Sequence, residues 1–188
     1  VLLLVPSVVL ALTVSCSSSS GSDGGGGGGG TVTPTDESIW LDPMNQARAA
    51  VGEKALTWDP IAAQVAANYA ALCSFDHNAD RSSQYQMLGG ASSGLGENIS
   101  AGAPMQAPAD GVASWLSEES SYDHASNSCA SGQECGHYTQ IVWSTTTGVG
   151  CAHVSCTTNT PFGSQFPMWD FSVCDFSPPG NIEGEPPY

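Results

Sequence analysis

Basic side chains are nearly absent from this 188-residue chain: Arg48, Lys54 and Arg81 stand against 18 acidic residues, for a formal net charge of −15. Nucleic-acid binding draws on clustered Lys and Arg that displace counterions, and no such cluster exists. Docking through basic residues on an anionic membrane is disfavoured for the same reason. Such acidity favours a soluble surface that repels its own copies, and a monomer is expected. Other signals are missing too. No Asp-x-Asp-x-Asp-Gly loop marks a calcium site of the helix-loop-helix kind. There is no Cys-x-x-Cys, and no histidine lies at finger spacing beyond Cys151 and Cys156, which argues against a structural zinc site. No His-Glu-x-x-His motif supports a zinc-protease helix. The longest apolar run, Val1–Ser15, falls short of the about 20 residues that span a bilayer.

Cysteine, by contrast, is well represented. Of seven, Cys73, Cys129, Cys135, Cys151, Cys156 and Cys174 fall within the region patterned to fold. An even set in an exported chain reads as a disulfide framework whose connectivity counting alone leaves open. With all six paired, no thiol remains for catalysis. Val1–Ser15 suits the apolar core of a signal peptide, truncated at its N-terminus because the charged start and initiator Met are missing. Cys16, following small residues, is a candidate lipidation site. The alternative is ordinary cleavage near Ser15 with Cys16 a spare thiol. Residues 16–35 read as a Ser/Gly-rich flexible tether. Export places the domain outside the cytoplasm, secreted or lipid-anchored to the envelope, with membrane contact only through Cys16.

From residue 36 to residue 188 the pattern becomes globular. Ile39, Trp40, Met44, Ala47 and Val51 recur at helical spacing, with Asp36 as cap and Gly52 as terminator. Asp59-Pro60 opens a second helix whose apolar face is Ile61, Val65, Ala66, Tyr69, Ala70 and Cys73. A Gly/Ser/Asn-rich loop is expected over 76–107, and a third helix over 108–119 with Val112, Trp115 and Leu116 inward. Alternation over 149–155 and 166–174 predicts strands. Helices followed by strands point to an α+β sandwich.

Several blocks resemble the CAP superfamily (cysteine-rich secretory proteins, antigen 5 and pathogenesis-related protein 1). They are Asn45-Gln-Ala-Arg48, Leu56-Thr-Trp-Asp59, Asn68-Tyr69-Ala70, Gly96-Glu97-Asn98-Ile99, Trp115-Leu-Ser-Glu118, Gly136-His-Tyr-Thr-Gln-Ile-Val-Trp143, Gly150-Cys-Ala and Cys174-Asp-Phe-Ser-Pro-Pro-Gly-Asn181. Each is weak alone; their order and spacing carry the resemblance, and the six cysteines suit the pathogenesis-related protein 1 type. The resemblance implies a three-layer α-β-α sandwich with a central antiparallel sheet. It also implies bridges Cys73–Cys151, Cys129–Cys135 and Cys156–Cys174.

Four histidines are present: His77, His124, His137 and His153. Sequence spacing alone brings no two of them together. The resemblance selects a tetrad of His77, Glu97, Glu118 and His137, with Glu118 preferred over Glu119 by its distance from Trp115. Two imidazoles suit zinc or another divalent cation, with carboxylates orienting them; a hydrogen-bonded polar cluster that pins loops to the sheet is the alternative. His124 is expected to serve packing or the surface, and His153 to face solvent on a strand. Tyr138 and Gln140 are expected to support the His137 loop. Met44, where relatives carry His, concerns packing. Residues 178–188 fit either a family terminus packed on the core or a released peptide. Three functions follow from the resemblance. One is binding of a lipid, sterol or other small hydrophobic ligand, or of an extracellular protein partner, with Leu88, Leu95, Ile99, Pro104 and Met105 as an apolar lip. The second is a metal-dependent hydrolase or protease, and the third an interaction scaffold.

Overall fold

A computed structural model describes residues 30–32, 36–92 and 94–188, with the backbone alone for 30–32. The expected signal segment and Cys16 lie outside the described residues. The elements run β1 (Gly30–Val32), α1 (Glu37–Ala50), β2 (Thr57–Trp58), α2 (Pro60–Ala70), α3 (Arg81–Met87), β3 (Gly96–Gly102), α4 (Pro108–Ser117), β4 (Tyr122–Asp123), β5 (Ser128–Cys129), α5 (Gly136–Ile141), β6 (Gly148–Cys156) and β7 (Trp169–Ser177).

Local chemistry explains the boundaries. Asp36 caps α1 by accepting from the Ser38 amide at 2.9 Å, and Gly52 leaves the helix at φ +84°. Asp59 caps α2 through the Ile61 and Ala62 amides at 3.0 and 3.1 Å, with Pro60 in the first turn. Residues 30–32, expected to be tether, pair antiparallel with β6. The expected loop over 76–107 holds both α3 and β3; short apolar stretches among Gly, Ser and Asn concealed them. The third helix stops at Ser117, and Glu118–Ser121 form one 3₁₀ turn.

The main sheet has the order β1-β6-β7-β3, antiparallel throughout, with β2 a short parallel addition to β6. Helices cover both faces, so β6 and β7 are buried along almost their whole length. On one face Trp40, Met44, Val112, Trp115, Tyr138 and Ile141 pack over Val149, Cys151, Cys174 and Phe176. On the other, Ala66, Ala70 and Cys73 of the α2 region pack over Ala152, Val154, Cys156, Phe171 and Val173. This is the three-layer arrangement. Alanines suit the second face because α2 lies close: a Cβ on Gly150 would come within 2.0 Å of the Ala63 nitrogen. Arg48 is buried and donates to the carbonyls of Lys54, Ile141, Trp143 and Thr146, tying α1 to the segment after α5.

Three disulfides form, and two differ from expectation. Cys129–Cys135 is as expected. The others are Cys73–Cys156 and Cys151–Cys174, in place of Cys73–Cys151 and Cys156–Cys174. The sheet register decides this. Cys151 lies directly opposite Cys174, with Cα atoms 4.1 Å apart. Cys156 lies opposite Trp169, about 17 Å along the strand from Cys174, far beyond disulfide reach. Cys73 belongs to the α2 face, as Cys156 does, whereas Cys151 points to the opposite face.

Candidate functional site

The amino-terminal end of β3 organises the site. Successive strand residues point to opposite faces, so Glu97 turns toward α2 and Asn98 toward α5. Glu97 is fully buried at its side chain and meets His77: His77 Nδ1 lies 2.7 Å from Glu97 Oε1. The Asn78 amide donates to the same oxygen at 2.9 Å. His77 is held by a tight turn in which its amide donates to Asp76 Oδ1 while Tyr69 donates to the Asp76 carbonyl. Arg81, in α3, braces this turn through the Asn78 and Leu95 carbonyls.

The second pair stands across β3. Glu118, in the 3₁₀ turn after α4, takes His137 Nδ1 on Oε1 at 2.6 Å. Its Oε2 accepts the amides of His137 and Tyr138 at 3.0 and 3.1 Å. Glu118 therefore fixes both the start of α5 and the imidazole on it; Glu119 makes no such contact. Trp115 stacks on the His137 ring at 6.0 Å. Asn98 Nδ2 donates to the His137 carbonyl at 3.0 Å, linking this pair to the strand that carries Glu97. Tyr138 and Gln140 are buried on the same helix as His137, and Gln140 bonds Thr146 and the Gly180 amide, tying α5 to those two segments.

All four tetrad residues thus sit around one strand, as two carboxylate–imidazole pairs. Each imidazole uses Nδ1 for its glutamate, and neither Nε2 has a hydrogen-bond partner among the described residues. His77 is more open than His137, with side chains 54% and 26% exposed. Among the described residues, no group of three or more His, Cys, Asp or Glu is arranged to hold a metal. A closed all-protein metal cage is therefore not what these residues build; two imidazole nitrogens are what they present.

Asp175 escaped sequence reasoning. It lies opposite Glu97 in the β3–β7 ladder, fully buried. Both of its carboxyl oxygens and Glu97 Oε2 lack hydrogen-bond partners among the described residues. Burial first, and the adjacent Glu97 charge second, hold the Asp175 carboxyl well above the usual carboxylate range, with Arg81 opposing. An acidic residue at a buried register position next to Glu97 was the available signal, but it required knowing the pairing.

The remaining histidines divide. His124 is exposed and stacks on Tyr188, in keeping with a surface and packing role. His153, expected to face solvent, is buried at 7% exposure. It lies on the face covered by α4, where a Cβ on Gly111 would stand 3.6 Å from Ser172 Oγ. Its Nδ1 is 3.0 Å from that hydroxyl, and its Nε2 is 3.9 Å from Asp170. Burial lowers its pKa, with Asp170 opposing. Met44 is buried in the core. The expected apolar lip does not form as one surface: Leu95 is buried and Ile99 packs in the α2 layer, while Leu88 and Met105 are exposed. A hollow of about 420 Å³ lies between the Cys129–Cys135 loop and residues 181–187, and another of about 400 Å³ lies beside Asp59 and Tyr85. Neither includes a tetrad residue. Residues 178–188 are docked: Tyr188 packs against the core and the Pro187 carbonyl accepts the Ser144 amide at 2.7 Å.

Comparison with known proteins places the chain by sequence and by fold. The chain is 42% identical over 151 residues to pathogenesis-related protein 1A of Nicotiana tabacum, covering 79% of each chain. It is 43% identical over 152 residues to pathogenesis-related protein PRMS of Zea mays, covering 79% of this chain and 80% of that one. Among solved structures, venom allergen-like protein 4 of Schistosoma mansoni superposes with a TM-score of 0.57 at 22% identity, over 79% of this chain and 92% of that one. NaASP2, solved with Zn2+, superposes with a TM-score of 0.60 at 22% identity, over 81% and 84%. The family model described as cysteine-rich secretory protein family, CAP, matches residues 41–176, and the chain belongs to that family.

Proposed function

We propose that this protein is an extracytoplasmic recognition domain that presents His77 and His137 to a divalent cation, zinc first among them, shared with a bound ligand or partner. The observation that carries this reading is the pair of carboxylate–imidazole contacts at 2.7 and 2.6 Å. A carboxylate on Nδ1 fixes the tautomer, raises the basicity of the other nitrogen and leaves Nε2 as the donor. Imidazole nitrogens are ligands that suit a borderline cation with open coordination positions. Bound there, the ion would supply Lewis acidity and a template for an oxygen or nitrogen ligand. The protein's own groups orient the rings: Glu97 from beneath β3, Glu118 from the turn after α4, and Trp115 by stacking. That NaASP2, of the same fold, was solved with Zn2+ supports zinc as the probe. Kinship with plant pathogenesis-related proteins supports an extracellular setting. A hydrolase reading has no free thiol to draw on among the described residues, because their six cysteines are paired.

Calorimetric titration of the purified protein with zinc tests the proposal. Saturable binding is expected. It should be lost in the His77→Ala/His137→Ala protein and weakened about 10-fold or more in Glu97→Gln, where the amide still accepts from His77 but carries no charge. Identical titrations for all three proteins would remove the reading.

A further inference from the structure

The end of the sheet remote from the His–Glu pairs carries a separate feature. Three segments meet there. They are residues 71–75 after α2, residues 103–107 after β3, and residues 157–168 between β6 and β7. The register places them together: Gly102 lies opposite Asp170, Cys156 opposite Trp169, and Cys73 is bridged to Cys156. These segments expose Phe75, Met105, Phe162, Phe166 and Met168, with Met105 at 79% and Met168 at 58%. Met105 and Met168 flank a small apolar notch floored by Trp169, and Phe75 packs edge-on against Trp169 from the other side. Isolated exposed apolar residues need no explanation, but several together at one end do.

Charge sharpens the point. None of the three segments contains a charged residue, although the chain carries 18 acids. Of the acids that border them, Asp170 is buried with Ser155 and Gln106, whereas Asp76 and Asp110 stay exposed at the edges and accept the His77 and Ala107 amides. The chain outside the described fold enters at this same end. Gly30, the first residue of β1, lies opposite Cys156. The segment that precedes it contains the Gly/Ser tether and the apolar run Val1–Ser15.

We infer that this uncharged apolar end is a membrane-docking face, which rests on a zwitterionic lipid surface and points the His–Glu pairs away from it. An uncharged face with exposed Met and Phe gains from burial among headgroups and upper acyl chains. The acidic remainder is repelled from anionic lipid. The strand from Gly102 to Glu97 sets the site about 17 Å above the docking end. This inference does not depend on cation binding at the His–Glu pairs.

Hydrogen exchange of the full chain, with and without phosphatidylcholine vesicles, tests it. Residues 103–107 and 157–168 should slow about fivefold or more on vesicles, with residues 130–136 unchanged. The exposed pair Met105→Asp/Met168→Asp should abolish the slowing while leaving the thermal unfolding curve in place. Any of four results would overturn the proposal. These are no slowing on vesicles, equal slowing on phosphatidylglycerol vesicles, slowing without vesicles that rises with protein concentration, and slowing without vesicles that disappears when the chain begins at Gly30. The third would indicate a second copy on this face, and the fourth the chain's own N-terminal segment.

Discussion

His137 and His153 are both histidines beside an acidic residue, yet the fold uses them in opposite ways. His137 Nε2 has no hydrogen-bond partner among the described residues, while Glu118 holds Nδ1 at 2.6 Å. His153 lies beneath α4 with Ser172 on Nδ1 and Asp170 near Nε2, and burial favours its neutral form. A serine, a histidine and an aspartate thus lie together, but Ser172 is fully buried and no substrate reaches it. Access and a free nitrogen mark a ligand site, whereas the mere grouping of reactive residue types does not.

Two predictions press on that comparison. The larger effect is on stability. His153→Ala leaves a cavity and takes the partner from the buried Ser172 hydroxyl under α4, and should cost about 2–4 kcal/mol in urea unfolding without changing the zinc titration. A change in zinc binding there would blur the distinction between the two histidines. The smaller effect concerns the carboxyl behind the site. Asp175→Asn gives Glu97 Oε2 a donor and removes a titrating group, and should stabilise by about 1–2 kcal/mol at neutral pH.

The pH dependence carries the sign of each group. Asp175 has a raised carboxyl in the folded state, so the folded protein binds more protons than the unfolded chain above the ordinary value of 3.8. Its contribution is fully present below that value and is lost as pH rises through the folded value. His153 acts oppositely: its folded value lies below 6.5, so its contribution is lost as pH falls below about 6.5. In Asp175→Asn the fall of the unfolding midpoint that sets in as pH rises above 3.8 should therefore be lost, while the fall on acidification that comes from His153 remains.

Much of this was legible in the sequence, and the gaps have physical reasons. Asp59-Pro60 announced α2 because capping is local chemistry. His77, Glu97, Glu118 and His137 were reached only through family resemblance, since each lies on a different element. The disulfide pairing failed for a related cause: which cysteine meets which depends on strand register and on which face each Sγ points to, and neither is written in spacing. His153 was placed in solvent because alternation tells the two faces of a strand apart without telling that helices cover both. The buried roles of Asp175 and Arg48 were not legible because a buried charged residue is identified by its neighbours, not by its own type.

The central claim is that Glu97 and Glu118 fix both imidazoles with the proton on Nδ1 and Nε2 ready to bind. Long-range 1H–15N NMR of the histidine rings measures this directly. The account predicts that neutral His77 and His137 carry the proton on Nδ1 and that their Nε2 resonances shift on adding zinc, while His153 stays unmoved. A proton on Nε2 in either ring, or zinc shifts confined to other histidines, would contradict it.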